Sequence, residues 1–458
     1  MSKRFSFSID DEAGELVARY ENYLVGAAPG YFDVHEMERI VEYYLAHGRT
    51  KDSLNALELG QKLHPDNSLL NIKRAKIYLS TGDVKRAYRI LSSVVEDSDV
   101  EVLFLKTEAL VKLHRTSEAR ELAFSILDEK NDDLDWMCID VALVFTSENE
   151  FDVALEILNV GAQHNPKNTE LLFDKAFCYE QKADFERASE TYQKIIDIDP
   201  YYSEAWFNLG QIYFLQLDYE NALEAYDYVL AINEYDAFAL FQKAHSHYQL
   251  NQWQEALEAY LNYESLVPDK WQVWLYIGET YEKLEDFAMA LEYYLKSYKA
   301  MPENYEALIG ISVSLLELGQ YEEALGYINK ALKISSEMPD AWVYLGEAQL
   351  ELGNPEKALE AYQHAISLEP NLPDTLLAMA GIYMESCNFY QALIFYKIAY
   401  GFDSTLELIE LFIAVASYYV GEYEEAELFL KLAIQRNLDA AGLFLEFCPD
   451  AQEFLENV

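Results

Sequence analysis

The segment SEAWFNLGQIYFLQLDYENALEAYDYVLAINEYD, residues 203–236, decides the fold. Two apolar stripes run through it: Trp206, Leu209, Gly210 and Tyr213, and then, after Asp218-Tyr219, Ala222, Tyr226 and Val229. Residues three and four apart share one face of an α-helix, so this spacing predicts two helices of about thirteen residues joined by a tight turn.

The segment is one of a series. Alanine recurs every 34 residues at Ala188, Ala222, Ala256, Ala290, Ala324, Ala358, Ala392 and Ala426 without an insertion. Units start at 34, 68, 100, 135, 169, 203, 237, 271, 305, 339, 373 and 407, with one step of 32 and one of 35, and together they cover residues 34–440. The fifteenth position is Gly48, Gly82, Gly319, Gly353 and Gly421 in five units, where a flexible backbone ends the first helix. Pro65, Pro166, Pro200, Pro268, Pro302 and Pro370 fall at the thirty-second position, between units, and Pro339, Pro355 and Pro373 open helices.

Small residues mark where helices meet. The eighth position is small in eleven units, Val41 being the exception, and the twentieth is alanine in all but Ser53. Large residues fill the grooves around them, as Trp274, Ile277, Tyr281 and Tyr294 do around Gly278 and Ala290. Tryptophan at Ala290 is therefore expected to overpack its hairpin, unlike tryptophan at Glu292.

Composition limits the partners. The chain has 458 residues, 51% of them apolar, and a formal net charge of −46. So acidic a surface is a poor match for nucleic acid or an anionic membrane, which call for clustered Lys and Arg. Disorder does not follow, because 36 Tyr, 23 Phe and 6 Trp demand burial. The N-terminal stretch turns acidic before any apolar run, so no signal peptide is expected. The richest apolar run, Leu411 to Val420, contains Ser417 and is too short to span a bilayer, so a cytoplasmic location with no membrane insertion is expected. Cys138, Cys178, Cys387 and Cys448 form no CxxC pair and read as buried, reduced thiols.

The repeating small and large positions with a terminal proline resemble the tetratricopeptide repeat (TPR) family, in twelve units that are strongest from 135 to 440. The resemblance implies an all-α fold, an alpha-alpha superhelix in which antiparallel hairpins place first helices on a concave groove and second helices on the convex side. Residues 1–33 are expected to cap the array with a helix around Asp11–Leu24, and residues 441–458 to form a C-terminal cap. That cap begins like a thirteenth first helix, with Phe444, Phe447 and Cys448 at matching positions, until Pro449. A monomer is expected, with a homodimer through Leu443, Phe444 and Phe454 as the alternative.

The family geometry points positions two, five, nine, twelve and thirteen toward the groove. In the middle units these hold Phe173, Phe177, Phe207, Gln211, Phe214, Phe241, His245, Tyr248, Leu275, Glu279, Glu282, Val343, Glu347 and Glu351. Aromatic surface mixed with carboxylates suits a protein or peptide segment that carries Lys or Arg among apolar anchors. The family's carboxylate clamp for acidic peptide C-termini needs several matching cations, and Lys283 stands alone between Glu279, Glu282 and Glu285. Each residue also has a plainer reading: the carboxylates as a solvent coat, Phe207 and Phe241 as packing against the next hairpin.

No catalytic, metal or cofactor motif is present. His245 and His247 are two apart and point away from each other on a helix, and Asp197-Ile-Asp199 lacks the glycine and glutamate of a calcium loop. The chain has no HExxH, GxSxG, P-loop or dinucleotide fingerprint. A non-enzymatic binding scaffold without cofactors is therefore expected, with a structural or regulatory subunit and a cryptic enzyme as the alternatives.

Overall fold

A computed structural model describes residues 3–27, 30–65, 67–94, 99–127, 131–268, 270–437 and 439–456. All regular structure among these residues is helical. The chain divides into two compact units, Met1–Ile232 and Asn233–Val458.

Unit 1 opens with α1 (Lys3–Leu24), which extends the expected capping helix toward the N-terminus. Three hairpins follow: α2 (Val34–Ala46) with α3 (Thr50–Leu63), α4 (Ser68–Ser80) with α5 (Val84–Ser93), and α6 (Val100–Lys112) with α7 (Thr116–Ile126). Three more complete the unit: α8 (Leu134–Thr146) with α9 (Phe151–His164), α10 (Thr169–Gln181) with α11 (Phe185–Ile198), and α12 (Ser203–Leu215) with α13 (Tyr219–Ile232).

Unit 2 begins with α14 (Ala237–Gln249) and α15 (Trp253–Leu266), α16 (Trp271–Lys283) and α17 (Phe287–Ala300), and α18 (Tyr305–Glu317) and α19 (Tyr321–Ile334). It continues with α20 (Pro339–Glu351) and α21 (Pro355–Leu368), α22 (Pro373–Glu385) and α23 (Phe389–Phe402), and α24 (Ile409–Val420) and α25 (Tyr423–Arg436). Two short helices, α26 (Ala440–Phe447) and α27 (Gln452–Leu455), close it. The helices start where the period puts them except at α8, one residue early, and α24, which waits for Leu408 in the left-handed region (φ 56°). No helix among the described residues is long and apolar enough to cross a membrane.

Two devices make each hairpin. The first is its turn. The fifteenth position is left-handed in all twelve units, in the five glycines and also in His114, Asn149, Ala183, Leu217, Asn251, Glu285 and Cys387, with φ from 55° to 91°. This conformation returns the next backbone N–H to a carbonyl of the first helix, as Asp184 N donates to Tyr179 O (2.9 Å) and Asp218 N to Tyr213 O (2.9 Å). The seven non-glycine residues bear the steric cost of that geometry, about 1–2 kcal/mol each.

The second device is reciprocity of size between positions eight and twenty-four. A Cβ on Gly278 would stand 2.7 Å from the Tyr294 ring, and one on Gly210 2.7 Å from the Tyr226 ring. Tyrosine at position twenty-four occurs only where the eighth residue is glycine or alanine; Val41 pairs with Leu57 and Thr107 with Ala123. Ala290 is fully buried, as its packing role requires.

The C-terminal cap uses its own aromatics. Phe444 is fully buried, and its ring centroid lies 5.8 Å from that of Phe454, which also packs on Tyr418 at 5.3 Å. Phe444 is thus closed to the homodimer alternative, while Phe454 is half-buried. Leu443 is half-buried against the same cluster. Cys387 also departs from expectation: it is exposed, while Cys138, Cys178 and Cys448 are buried.

A candidate protein-binding face on the first helices

Successive first helices touch within unit 2, α16 against α18 and α18 against α20, so side chains at equivalent positions share one face. On α14, Phe241 and His245 stand one turn apart with ring centroids at 4.4 Å. Around them gather Tyr263 (5.1 Å from Phe241) and Tyr276 (5.7 Å from Phe241, 4.5 Å from His245), while Tyr260 stacks on Tyr276 at 5.8 Å.

The Tyr260 hydroxyl bonds His245 Nδ1. Burial lowers the His245 pKa to about 4, so the imidazole is neutral at pH 7 and Tyr260 donates while Nδ1 accepts. That bond leaves the imidazole proton on Nε2.

Glu279 lies on α16, one turn beyond Leu275. Its pKa is pushed up to about 7 by burial first, then by the negative charges of Glu282 and Glu306, with Lys283 opposing. The same two carboxylates, Glu279 and Glu282, add to burial in raising Tyr248 to about 12. Glu282 has a partner in its own hairpin, since it accepts a hydrogen bond from the Tyr294 hydroxyl (2.8 Å). Glu279 forms neither an ion pair nor a hydrogen bond among the described residues. The Tyr276 ring of the aromatic cluster thus feels a carboxylate that is bonded to no cation, Lys283 acting on it only at a distance, a combination that attracts a cation carried on an apolar segment.

The remaining expected residues divide by burial. Leu275 is only 8% exposed and belongs to the core cluster that also holds Tyr294 and Ala290, so little of its surface is open. Val343 is half-buried against Tyr362 and Met379. Tyr248 is half-buried edge-on to Trp253 at 4.9 Å. Glu347 and Glu351 are exposed. The Glu347 pKa is nevertheless raised to about 7 by neighbouring protein mass and then by Glu317. Its open side stays wet, so the screened effect is smaller than at half-buried Glu279.

Unit 1 carries its own face. Phe173 is half-buried between Tyr192 (5.7 Å) and Tyr202 (5.7 Å), and Phe207 leans on Tyr226 at 5.8 Å, so both serve packing. Phe214 is half-buried edge-on to Tyr219, and Gln211 is half-buried beside it on α12. Phe177 is exposed, with one edge toward Phe151.

Several side chains on these faces escaped the sequence reading. Trp136 (53% exposed), Leu143 (63%) and Phe238 (77%) stand at positions two and nine, which the repeat numbering itself marks as groove-facing. Glu306 was legible the same way, at position two. Tyr276, at position six, and Tyr260, at position twenty-four, had no such signal, because those positions belong to the packing between helices. Among the described residues, no group of three or more His, Cys, Asp or Glu is placed to hold a metal ion.

The comparisons with known proteins agree with the repeat. Tetratricopeptide repeat family models match residues 241–305, 278–339 and 309–373, residues 203–236 and residues 145–207. No curated protein matches the chain. Among solved structures, YrrB, described as a TPR protein with an unusual peptide-binding site, is 22% identical, with 42% of this chain and 98% of that one covered and a TM-score of 0.38. The Cut9–Hcn1 hetero-tetramer of APC/C is similar at 17% identity over 84% of this chain and 96% of that one, with a TM-score of 0.41. A tetratricopeptide repeat protein from Parabacteroides merdae is 17% identical over 55% of this chain and 98% of that one, with a TM-score of 0.39. With its 34-residue period, its hairpins and these family matches, the chain belongs to the tetratricopeptide repeat family.

Proposed function

We propose that the chain is a non-enzymatic scaffold that binds a segment of another protein on the first-helix face of unit 2. The observation that carries this reading is the Glu279 carboxylate, which makes no hydrogen bond or ion pair among the described residues and whose charge reaches the Tyr276 and Tyr248 hydroxyls, Tyr276 being packed on Phe241 and His245. The segment it suits bears Lys or Arg next to an apolar side chain: the cation neutralises Glu279 and the apolar group covers the rings. Half-buried Glu279 is the stronger part of the attraction, since exposed carboxylates such as Glu347 and Glu351 are screened by salt.

The test is partner capture by the chain and by a variant carrying both Phe241→Ala and Glu279→Gln, with helicity followed by circular dichroism. A partner lost from a variant of unchanged helicity supports the reading. Undiminished capture by that variant removes these residues from the site.

A further inference from the structure

Unit 2 ends in a second exposed aromatic surface, away from the cluster around Phe241. Phe389, at the start of α23, stacks on Tyr419, at the end of α24, with centroids 4.3 Å apart and planes 13° from parallel. The Tyr419 hydroxyl donates to Phe447 O on α26 (2.6 Å), which ties the ring to the cap. Tyr419 (41%), Phe447 (47%) and Tyr423 (55%) all remain exposed. Tyr418 joins them, at 6.0 Å from Tyr419 and 5.5 Å from Tyr423.

The charges around this surface are unbalanced. From Glu385 to Glu456 the chain has three cations, Lys397, Lys431 and Arg436, and each is used internally: Lys397 pairs with Glu425 (2.6 Å), Lys431 with Glu427 (2.6 Å) and Arg436 with Glu410 (2.7 Å). Glu385, Glu446 and Asp450 are exposed and form no ion pair among the described residues. Asp450 acts directly on the aromatic surface, since after burial it is among the groups that raise the hydroxyl pKa of Tyr418 and Tyr419.

The first hairpin of unit 1 supplies its own cation to the same combination. There Arg49 lies over the Tyr44 ring at 4.6 Å while bonding Glu21 (3.1 Å) and Asp52 (2.7 Å). A tyrosine face with carboxylates beside it is thus satisfied by an arginine, whose flat, weakly hydrated guanidinium stacks on a ring and still reaches a carboxylate. At the C-terminal end the ring and the carboxylates are present and the arginine is not.

We propose that the surface formed by Phe389, Tyr419, Tyr423 and Phe447 docks an arginine-bearing segment of another protein. A second copy of this chain is a poor occupant, because it would bring the same unpaired carboxylates to the contact.

The test uses the full chain and a fluorescein-labelled, amidated peptide of alternating arginine and leucine, with lysine and glutamate versions for comparison, followed by anisotropy. The arginine peptide is expected to bind more tightly than the lysine peptide, and Tyr419→Ala to weaken it about tenfold. Tyr423→Ala, on a more exposed ring, serves as the second variant should Tyr419→Ala disturb the cap. These measurements are made in a chain already carrying Phe241→Ala and Glu279→Gln, which serves as the parent, so that the face proposed above takes up none of the peptide and a loss with Tyr419→Ala reads this surface alone. Equal affinity of the parent, Tyr419→Ala and Tyr423→Ala chains would overturn the assignment, as would equal binding of the arginine and lysine peptides. Self-association of the parent chain in sedimentation, abolished by Tyr419→Ala, would overturn the choice of occupant.

Discussion

Tyr294 donates its hydroxyl to Glu282, twelve residues earlier on the facing helix, at 2.8 Å. Tyr192 and Glu180 repeat the bond at the same separation and the same 2.8 Å. In these two hairpins the tyrosine at position twenty-four is rooted in the core and its hydroxyl reaches position twelve of the first helix, whereas Tyr260 turns its hydroxyl to His245 at position nine. Glu282 is therefore engaged within its own hairpin, while Glu279 makes no such bond on the proposed face.

Tyr226 occupies the same position in its hairpin, but position twelve there is Phe214 rather than glutamate, and its buried hydroxyl has no hydrogen-bond partner. Removing an unsatisfied buried hydroxyl releases its desolvation cost, whereas removing a bonded one also strands the acceptor. Tyr226→Phe is expected to leave stability unchanged or raise it. Tyr294→Phe is expected to lower it by about 1–2 kcal/mol. Urea denaturation of the two variants checks the contrast, and equal losses would count against it.

The left-handed turn positions offer a second comparison. Ala183→Gly and Leu217→Gly relieve a Cβ held at φ 55° and 63°, against the extra freedom glycine has in the unfolded chain. Each is expected to stabilise by about 0.5–1 kcal/mol. Gly319→Leu, at φ 72°, is expected to destabilise by a similar amount. Melting temperatures of the three variants decide the matter, and a lower value for both glycine variants would contradict this account of the turns.

Glycines inside helices separate in the same way. A Cβ at Gly326 meets nothing within 4 Å, whereas one at Gly278 meets the Tyr294 ring at 2.7 Å. Gly326→Ala is expected to stabilise by about 1 kcal/mol through helix propensity. Gly278→Ala is expected to cost about 1–3 kcal/mol, because the ring it strikes is fully packed. Denaturation midpoints of opposite sign are the predicted outcome.

Two groups on the proposed face tie stability to pH in opposite directions. Glu279, raised by burial to about 7 from an ordinary 4.5, binds its proton more tightly when folded, so its contribution is present below pH 4.5 and lost as pH rises toward 7. His245, lowered by burial to about 4 from 6.5, contributes above pH 6.5 and loses that contribution as pH falls toward 4. Glu279→Gln should therefore raise the melting temperature relative to the parent chain at pH 8 more than at pH 5. The same difference at both values would show that Glu279 is not buried as described.

Much of this architecture is legible in the residues. The 34-residue alanine series from Ala188 to Ala426 locates the second helices from α11 to α25, and the pairing of Gly278 with Tyr294 or Thr107 with Ala123 shows how each hairpin fills its contact. The turn is only partly legible, because Leu217 and Glu285 carry no sign of the left-handed geometry that the repeat imposes on them. The face is harder still. Helical periodicity assigns a side chain to a side of its helix but not the depth at which its tip ends. Leu275 therefore reads as a groove residue yet is buried by Tyr294, and Tyr260 reads as core yet bonds His245. Glu282 and Glu279 are alike in sequence, and only the position of the Tyr294 hydroxyl tells them apart.

The most direct measurement of the central claim is capture from the native cell at low and high salt, by the parent chain and the Phe241→Ala, Glu279→Gln double variant, with quantitative mass spectrometry. The account predicts a protein with a basic segment that is enriched by the parent at low salt, reduced at high salt and lost from the variant. Enrichment of nucleic acid, or of the same protein by parent and variant alike, would contradict it.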